Sequence, residues 1–193
     1  MVLLGIVAWG IMDDMTAIVT AEELERMNIP GKSTELVRGQ LVVREPPGTY
    51  HGRIQSRLHV LVGAFVENNQ LGDVFGQDTG FKIASNPDTV RAPDLAFVSR
   101  DRTSLIGRRG YAALAPDLAA EILSPDDRPG EILTKVGEWL DAGVRLVWVI
   151  DPDRNQAQIY RQDGSLTLIE AAGTLDGEDV VPGFTCRLSD VLK

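Results

Sequence analysis

Apolar residues recur at helical spacing in two stretches of the chain and gather into short strand-like runs around them. Between Gly52 and Gln70, Ile54, Leu58, Leu61, Val62 and Phe65 recur at intervals of three and four, one face of a helix that Asn68-Asn69 and Gly72 close. From Glu131 to Ala142 the stripe Ile132, Leu133, Val136, Trp139 and Leu140 predicts a second helix, terminated by Gly143. Thr20 to Met27 opens with Thr20 and Glu23 in capping-box spacing, which predicts a short helix. Glu35 to Val43 reads as two short strands about a glycine-containing turn, ended by Pro46-Pro47-Gly48. Val74-Phe75-Gly76 and Phe81 to Ala84 follow, separated by Asp78-Thr79-Gly80, and then the turn Asn86-Pro87-Asp88. Val144 to Ile150 is almost wholly apolar and β-branched, the composition of a strand covered on both faces. Gln156–Arg161 and Ser165–Glu170, joined through Asp163-Gly164, predict a hairpin, and the tail holds Val181-Pro182-Gly183-Phe184 and a short terminal helix. The sum is an α/β fold with a mixed sheet flanked by helices.

Two of the apolar runs carry a carboxylate in their middle. They are Arg91-Ala92-Pro93-Asp94-Leu95-Ala96-Phe97-Val98 and Asp117-Leu118-Ala119-Ala120-Glu121-Ile122-Leu123. Strand alternation puts Asp94 on one face with Ala96 and Val98, and Glu121 with Ala119 and Leu123. A carboxylate removed from water costs several kcal/mol unless compensated, and two on adjacent strands repel unless a cation lies between them. A hard divalent ion such as Mg²⁺ needs only one or two carboxylates besides water and phosphate oxygens. Lys135 lies at the edge of the stripe of the following helix, from which an ammonium reaches toward the sheet. Ordinary alternatives stand beside this reading. Asp94 caps amides in a Pro93-Asp94 turn, Glu121 pairs with an arginine, and Lys135 pairs with Glu131 at i,i+4, which spacing alone favours.

A hydrophobic fraction of 44% and a charged fraction of 24% are those of an ordinary globular chain. Cys186, the single cysteine, excludes an internal disulfide and is compatible with a cytoplasmic setting. No run reaches the roughly 20 apolar residues of a membrane span. Residues 1–14 read as an N-terminal extension, disordered or tucked away: Met1 to Met12 is apolar without the basic start of a signal peptide, and Asp13-Asp14 follows. Residues 15–193 read as a single domain. The net charge of −9 argues against tight non-specific binding of nucleic acid but permits a local basic patch, for which Arg100, Arg102, Arg108 and Arg109 are candidates.

With these residues the chain resembles the Uma2 family (DUF820) of restriction-endonuclease-like proteins, in the PD-(D/E)xK nuclease superfamily. The resemblance runs from about Met15 to Leu192. It rests on Glu35-Leu36-Val37-Arg38-Gly39, His51, Asp78-Thr79-Gly80, Arg91-Ala92-Pro93-Asp94, Pro116 to Pro125, Lys135 to Val149, Asp151-Pro152 and Pro182-Gly183-Phe184, in that order and spacing. It implies a PD-(D/E)xK core with Mg²⁺ or Mn²⁺ at Asp94 and Glu121. The superfamily lysine position, two residues after the acid, is Leu123 here, so the resemblance assigns that role to Lys135 on the next helix. Glu35 would be the further N-terminal acid. His51, just before a helix, is a candidate cap or proton carrier. Where many relatives read Gly-Glu, this chain has Gly39-Gln40, which puts that acid's role in doubt. The expectation is a metal-dependent endonuclease acting on DNA, cytoplasmic and homodimeric. Its alternatives are an idle nuclease fold that binds nucleic acid or a protein, and a hydrolase of another phosphate ester.

Overall fold

Among the described residues, 18–27 and 29–193 of this computed structural model, the chain runs as α1 (Ala21–Arg26), β1 (Ser33–Val37), β2 (Gln40–Arg44), α2 (Thr49–Asn68), β3 (Gly72–Gly76), β4 (Phe81–Ala84), β5 (Thr89–Arg91), β6 (Leu95–Ser99), β7 (Leu118–Ile122), α3 (Pro129–Asp141), β8 (Leu146–Asp151), β9 (Gln156–Arg161), β10 (Leu166–Glu170), β11 (Thr174–Asp176), β12 (Thr185–Arg187) and α4 (Leu188–Leu192). The extension expected over residues 1–14 lies outside the described residues. Six strands, in the order β10-β9-β8-β7-β6-β3, form a central sheet, and four, β2-β1-β5-β4, form a smaller one. β7 and β8 are parallel, with α3 as the crossover that a parallel pair requires, while the other pairs of the central sheet are antiparallel. The sheet is therefore mixed, as the sequence pattern predicts.

Alternation along β6, β7 and β8 sorts the core into two layers. Leu95, Phe97, Leu118, Ala120 and Trp148 pack with Ile54, Leu58, Val62 and Val66 of α2 and with α4. Ala96, Val98, Ala119, Val147 and Val149 pack on the other face with Val136 and Trp139 of α3. A third cluster, Ala21, Leu24, Leu36 and Val90, ties α1 to the small sheet. The capping box of α1 is formed in both directions: Glu23 N–H donates to Thr20 Oγ1 at 3.2 Å and Thr20 N–H to Glu23 Oε2 at 2.8 Å. The β1–β2 turn places Arg38 and Gly39 at φ 48° and 77°, the left-handed pair a two-residue hairpin requires.

The structure departs from the simplest reading at two places. β3 and β4 are neighbours in the chain but join different sheets: β3 pairs with β6, and β4 with β5. The acidic run 91–98 is also not one strand. Arg91 ends β5 in the small sheet and Leu95 starts β6 in the central one. Pro93 between them has no N–H to donate to a ladder, so pairing stops there and the chain steps from one sheet to the other.

Asp117, at the start of β7, is a structural acid. Ser99 N–H donates to its Oδ2 at 2.8 Å and Arg102 Nη1 to its Oδ1 at 2.6 Å. Arg102→Ala is expected to lower unfolding stability by about 1–3 kcal/mol, because Asp117 is left buried with a lost charge partner. Chemical denaturation measures it, and an unchanged midpoint would refute the assignment.

Candidate metal centre

The step at Ala92-Pro93 delivers Asp94 to the N-terminal end of β6, an interior strand of the central sheet. β6 pairs with β7 in the register Leu95↔Ala120, so continuing the ladder by one position sets Asp94 opposite Glu121. Leu95 and Ala120 face α2, whereas Ala96 and Ala119 face α3. Asp94 and Glu121 therefore share the α3 face. The Asp94 carboxylate is held by the backbone of the opposite strand: Ile122 N–H donates to Oδ2 at 2.7 Å. Among the described residues Asp94 Oδ1 has no hydrogen-bond partner, and it is not sealed from solvent.

Glu121 is gripped by one face of α3. Lys135 Nζ donates to Oε2 and Trp139 Nε1–H to Oε1, both at 2.9 Å. Lys135 and Trp139 are four residues apart, one turn of helix, so a single carboxylate meets both. The i,i+4 partner expected from spacing, Glu131, is not where Lys135 points. The lysine lies instead 3.2 Å from Glu35 of β1 and 3.4 Å from the carbonyl of Ala92. Glu35 in turn binds Arg91, whose other edge binds Glu138 on α3. Sequence reasoning missed the site roles of Arg91, Glu138 and Trp139: Trp139 reads there as part of the apolar stripe of the helix and Arg91 as a strand residue. Only the spacing of Glu138 and Trp139, three and four residues after Lys135, marks them as its companions.

His51, in the first turn of α2, reaches the same spot. Its Nε2 lies 2.9 Å from Ile122 O and 3.3 Å from Asp94 Oδ2. A carbonyl only accepts, so the Nε2 proton is directed there and the buried Nδ1 is left without a partner. Gln55, one turn on, donates to the Asp94 carbonyl at 3.0 Å. Thus Asp94, Glu121, Lys135, Glu35 and His51 are gathered in one place.

The arginines are not. Arg100 follows β6 at the end away from Asp94, about 20 Å along the strand at roughly 3.3 Å per residue. Arg102 is committed to Asp117, and Arg108 and Arg109 are exposed. Gln40 is exposed at the start of β2 and makes no side-chain hydrogen bond to the acidic cluster.

Charge at this place does not balance. Glu35, Glu121 and Glu138 pair with two permanent cations, Arg91 and Lys135, while Asp94 has only His51 beside it, a group that Asp94 makes easier to protonate despite its burial. With all four carboxylates ionised and His51 neutral, two negative charges are left over, which a divalent cation would neutralise. Burial lifts the Glu121 pKa to about 7; Lys135 opposes the rise, while Asp94 and Glu35 reinforce it. Burial alone would lower the Lys135 pKa, but Glu121 and Glu35 hold it above the usual lysine value, so this lysine is an ammonium. Glu35 is held below the ordinary carboxylate value by Lys135 and Arg91 despite its burial. The donor set is all oxygen, the class preferred by Mg²⁺ and Mn²⁺. Among the described residues no cluster of three or more His, Cys, Asp or Glu is arranged as a ready-made cage. The residues fit an ion that keeps water or substrate oxygens on its open side.

Comparison with known proteins places the chain in a family. The sequence model of the Uma2 family, described as "Putative restriction endonuclease", matches residues 21–189. Among solved structures the chain is similar to a protein from Anabaena variabilis described as "a putative nuclease belonging to DUF820". The TM-score is 0.76 at 22% identity, over 90% of this chain and 97% of that one. A search of the curated proteins found no match.

Proposed function

The chain belongs to the Uma2 family of restriction-endonuclease type, and from that premise we propose that it is a divalent-metal-dependent endonuclease that hydrolyses phosphodiester bonds of DNA. The observation that carries the reading is the placement of Asp94 opposite Glu121, with the Lys135 ammonium 2.9 Å from Glu121. Asp94 Oδ1 and the Glu121 carboxylate would hold Mg²⁺ or Mn²⁺. When bound, the ion supplies a Lewis acid that polarises the phosphoryl group and lowers the pKa of a bound water.

The chain's own groups do the rest. Lys135 carries only donors, so it cannot remove a proton. It orients the attacking water through that water's lone pair and stabilises charge that develops on the phosphoryl oxygens. Trp139 keeps Glu121 from rotating away. Ile122 N–H holds Asp94 Oδ2, with His51 Nε2 3.3 Å from the same oxygen, which leaves Oδ1 without a hydrogen-bond partner among the described residues. Exposed Arg53, two residues after His51 on α2, and exposed Arg128, at the start of α3, are candidates to meet phosphates, with exposed Arg108 and Arg109 as the sequence-based candidates. For double-strand cleavage two copies would act as a homodimer, one site per strand. Among the described residues no helix is long and apolar enough to cross a membrane.

The test is nicking of supercoiled plasmid with Mg²⁺ or Mn²⁺, beside Asp94→Asn and Glu121→Gln. Nicking by wild type alone supports the proposal; equal behaviour of all three proteins on single- and double-stranded DNA and RNA sinks it.

The acidity of Glu121 adds a pH signature. Its folded pKa of about 7 lies above its ordinary value of 4.5, so the metal-free fold loses this group's contribution as pH rises through that interval. A cation competes with the same proton. Divalent affinity is therefore expected to weaken about tenfold per pH unit below about 7. The rise in melting temperature on adding Mn²⁺ should accordingly be larger at pH 8 than at pH 6. Equal rises would remove Glu121 from the set of ligands.

A further inference from the structure

We infer that Glu35 is a lysine-positioning residue that stays outside the metal shell. What Lys135 does in catalysis rests on the nuclease reading above; how Lys135 is held does not.

Both Glu35 oxygens are already engaged. Oε1 accepts the Ala92 N–H at 2.9 Å and faces Lys135 Nζ at 3.2 Å. Oε2 accepts Arg91 Nη1 at 2.8 Å. Arg91 is itself clamped, with its Nε 2.7 Å and its Nη2 2.6 Å from Glu138 Oε2 on α3. The chain Glu138–Arg91–Glu35 thus runs from α3 through β5 to β1 and fixes Glu35 from behind. A carboxylate that already carries a guanidinium, an ammonium and an amide proton has little charge left to offer a divalent ion.

The lysine side of the contact agrees. Lys135 Nζ donates to Glu121 Oε2 at 2.9 Å and to Ala92 O at 3.4 Å, and Glu35 Oε1 lies in ion-pair contact with it at 3.2 Å. The two carboxylates, on β7 and β1, together hold Nζ in place. The Ala92 contact is the longest, so it is the one a water or phosphoryl oxygen would displace. Glu35 and Ala92 N–H are joined as well, so the same carboxylate fixes the backbone that leads into Pro93 and Asp94. Arg91 and Glu35 therefore act through the lysine.

Glu35→Gln tests this, because the amide oxygen still accepts from Ala92 N–H while the charge is removed. In metal-free protein, acylation of Lys135 by a small amine-reactive ester, mapped by peptide mass spectrometry, should quicken at least about threefold as the ammonium loses one of two carboxylate partners. Mn²⁺ binding followed by paramagnetic resonance should stay within about twofold of wild type, whereas Glu121→Gln weakens it about tenfold or more. In plasmid nicking, Glu35→Gln should lower kcat about 10- to 100-fold at an unchanged Mn²⁺ midpoint. In a Lys135→Ala background, the same change should cost nothing further. Arg91→Lys, which keeps the charge and loses the fork, should shift Lys135 reactivity in the same direction by less. Weakening of Mn²⁺ binding by Glu35→Gln to the level of Glu121→Gln would make Glu35 a ligand and overturn the inference, and so would unchanged Lys135 reactivity. If wild type cuts no nucleic acid, the nuclease reading fails while the reactivity and binding measurements still decide the role of Glu35.

Discussion

Lys135→Met is expected to unfold about 3–5 kcal/mol more readily than wild type in metal-free buffer and to lose about 10³-fold in cleavage rate. Methionine fills much of the lysine's volume, so the loss is one of charge rather than of packing. Two buried carboxylates, Glu35 and Glu121, then lack the ammonium, and Arg91 alone remains to offset them and Glu138. For a chain of this length the destabilisation corresponds to a fall in melting temperature on the order of 10 °C. Mn²⁺ should recover more of that loss than it adds to wild type, because the uncompensated charge has grown. It should not recover cleavage, since an ion held by Asp94 and Glu121 cannot also orient the water as the ammonium does. Thermal unfolding with and without Mn²⁺, read beside plasmid nicking, separates the two effects. A variant as stable and as active as wild type would remove Lys135 from both roles.

Asp94→Asn should behave in the opposite way toward stability. The asparagine oxygen still accepts the Ile122 N–H, so the strand contact survives. The like-charge repulsion on Glu121 disappears, and its acidity returns toward the ordinary carboxylate range. Metal-free stability should therefore stay within about 1 kcal/mol of wild type or rise. Mn²⁺ affinity should drop about tenfold or more, and cleavage should fall about 10³-fold or more. Calorimetric titration of Mn²⁺ and chemical denaturation check the two halves. A large stability loss with unaltered Mn²⁺ binding would make Asp94 a structural acid like Asp117.

The periodic elements were legible before the structure because each one buries a single face. The stripe Ile54, Leu58 and Val62 marks α2, and the unbroken run through Trp148 marks a strand covered on both sides. The facing of Asp94 and Glu121 followed from alternation alone once β6 and β7 were neighbours. The direction of Lys135 did not, because spacing offered Glu131 as an equally simple partner, and only burial against Glu121 and Glu35 decides between them. The assignment of β3 and β4 to separate sheets had no local signal, since both are short and only partly covered. Arg91 looked like a strand residue because its partners lie 56 residues before it and 47 after it. Ion pairs between elements that far apart leave no pattern in a sequence. The arginines at 100, 102, 108 and 109 illustrate the reverse error of proximity: clustered in sequence, they have different partners and different surroundings.

Trp139 gives the acidic cluster an optical reporter. The chain has three tryptophans, and the indole N–H of this one donates directly to Glu121. Neutralising that carboxylate, by a proton or by a bound cation, changes the field along the indole and hence the colour and yield of its emission. With Trp9 and Trp148 both replaced by phenylalanine to leave Trp139 as the single emitter, the protein would report the state of its own acid in unlabelled solution, on the timescale of a stopped-flow trace.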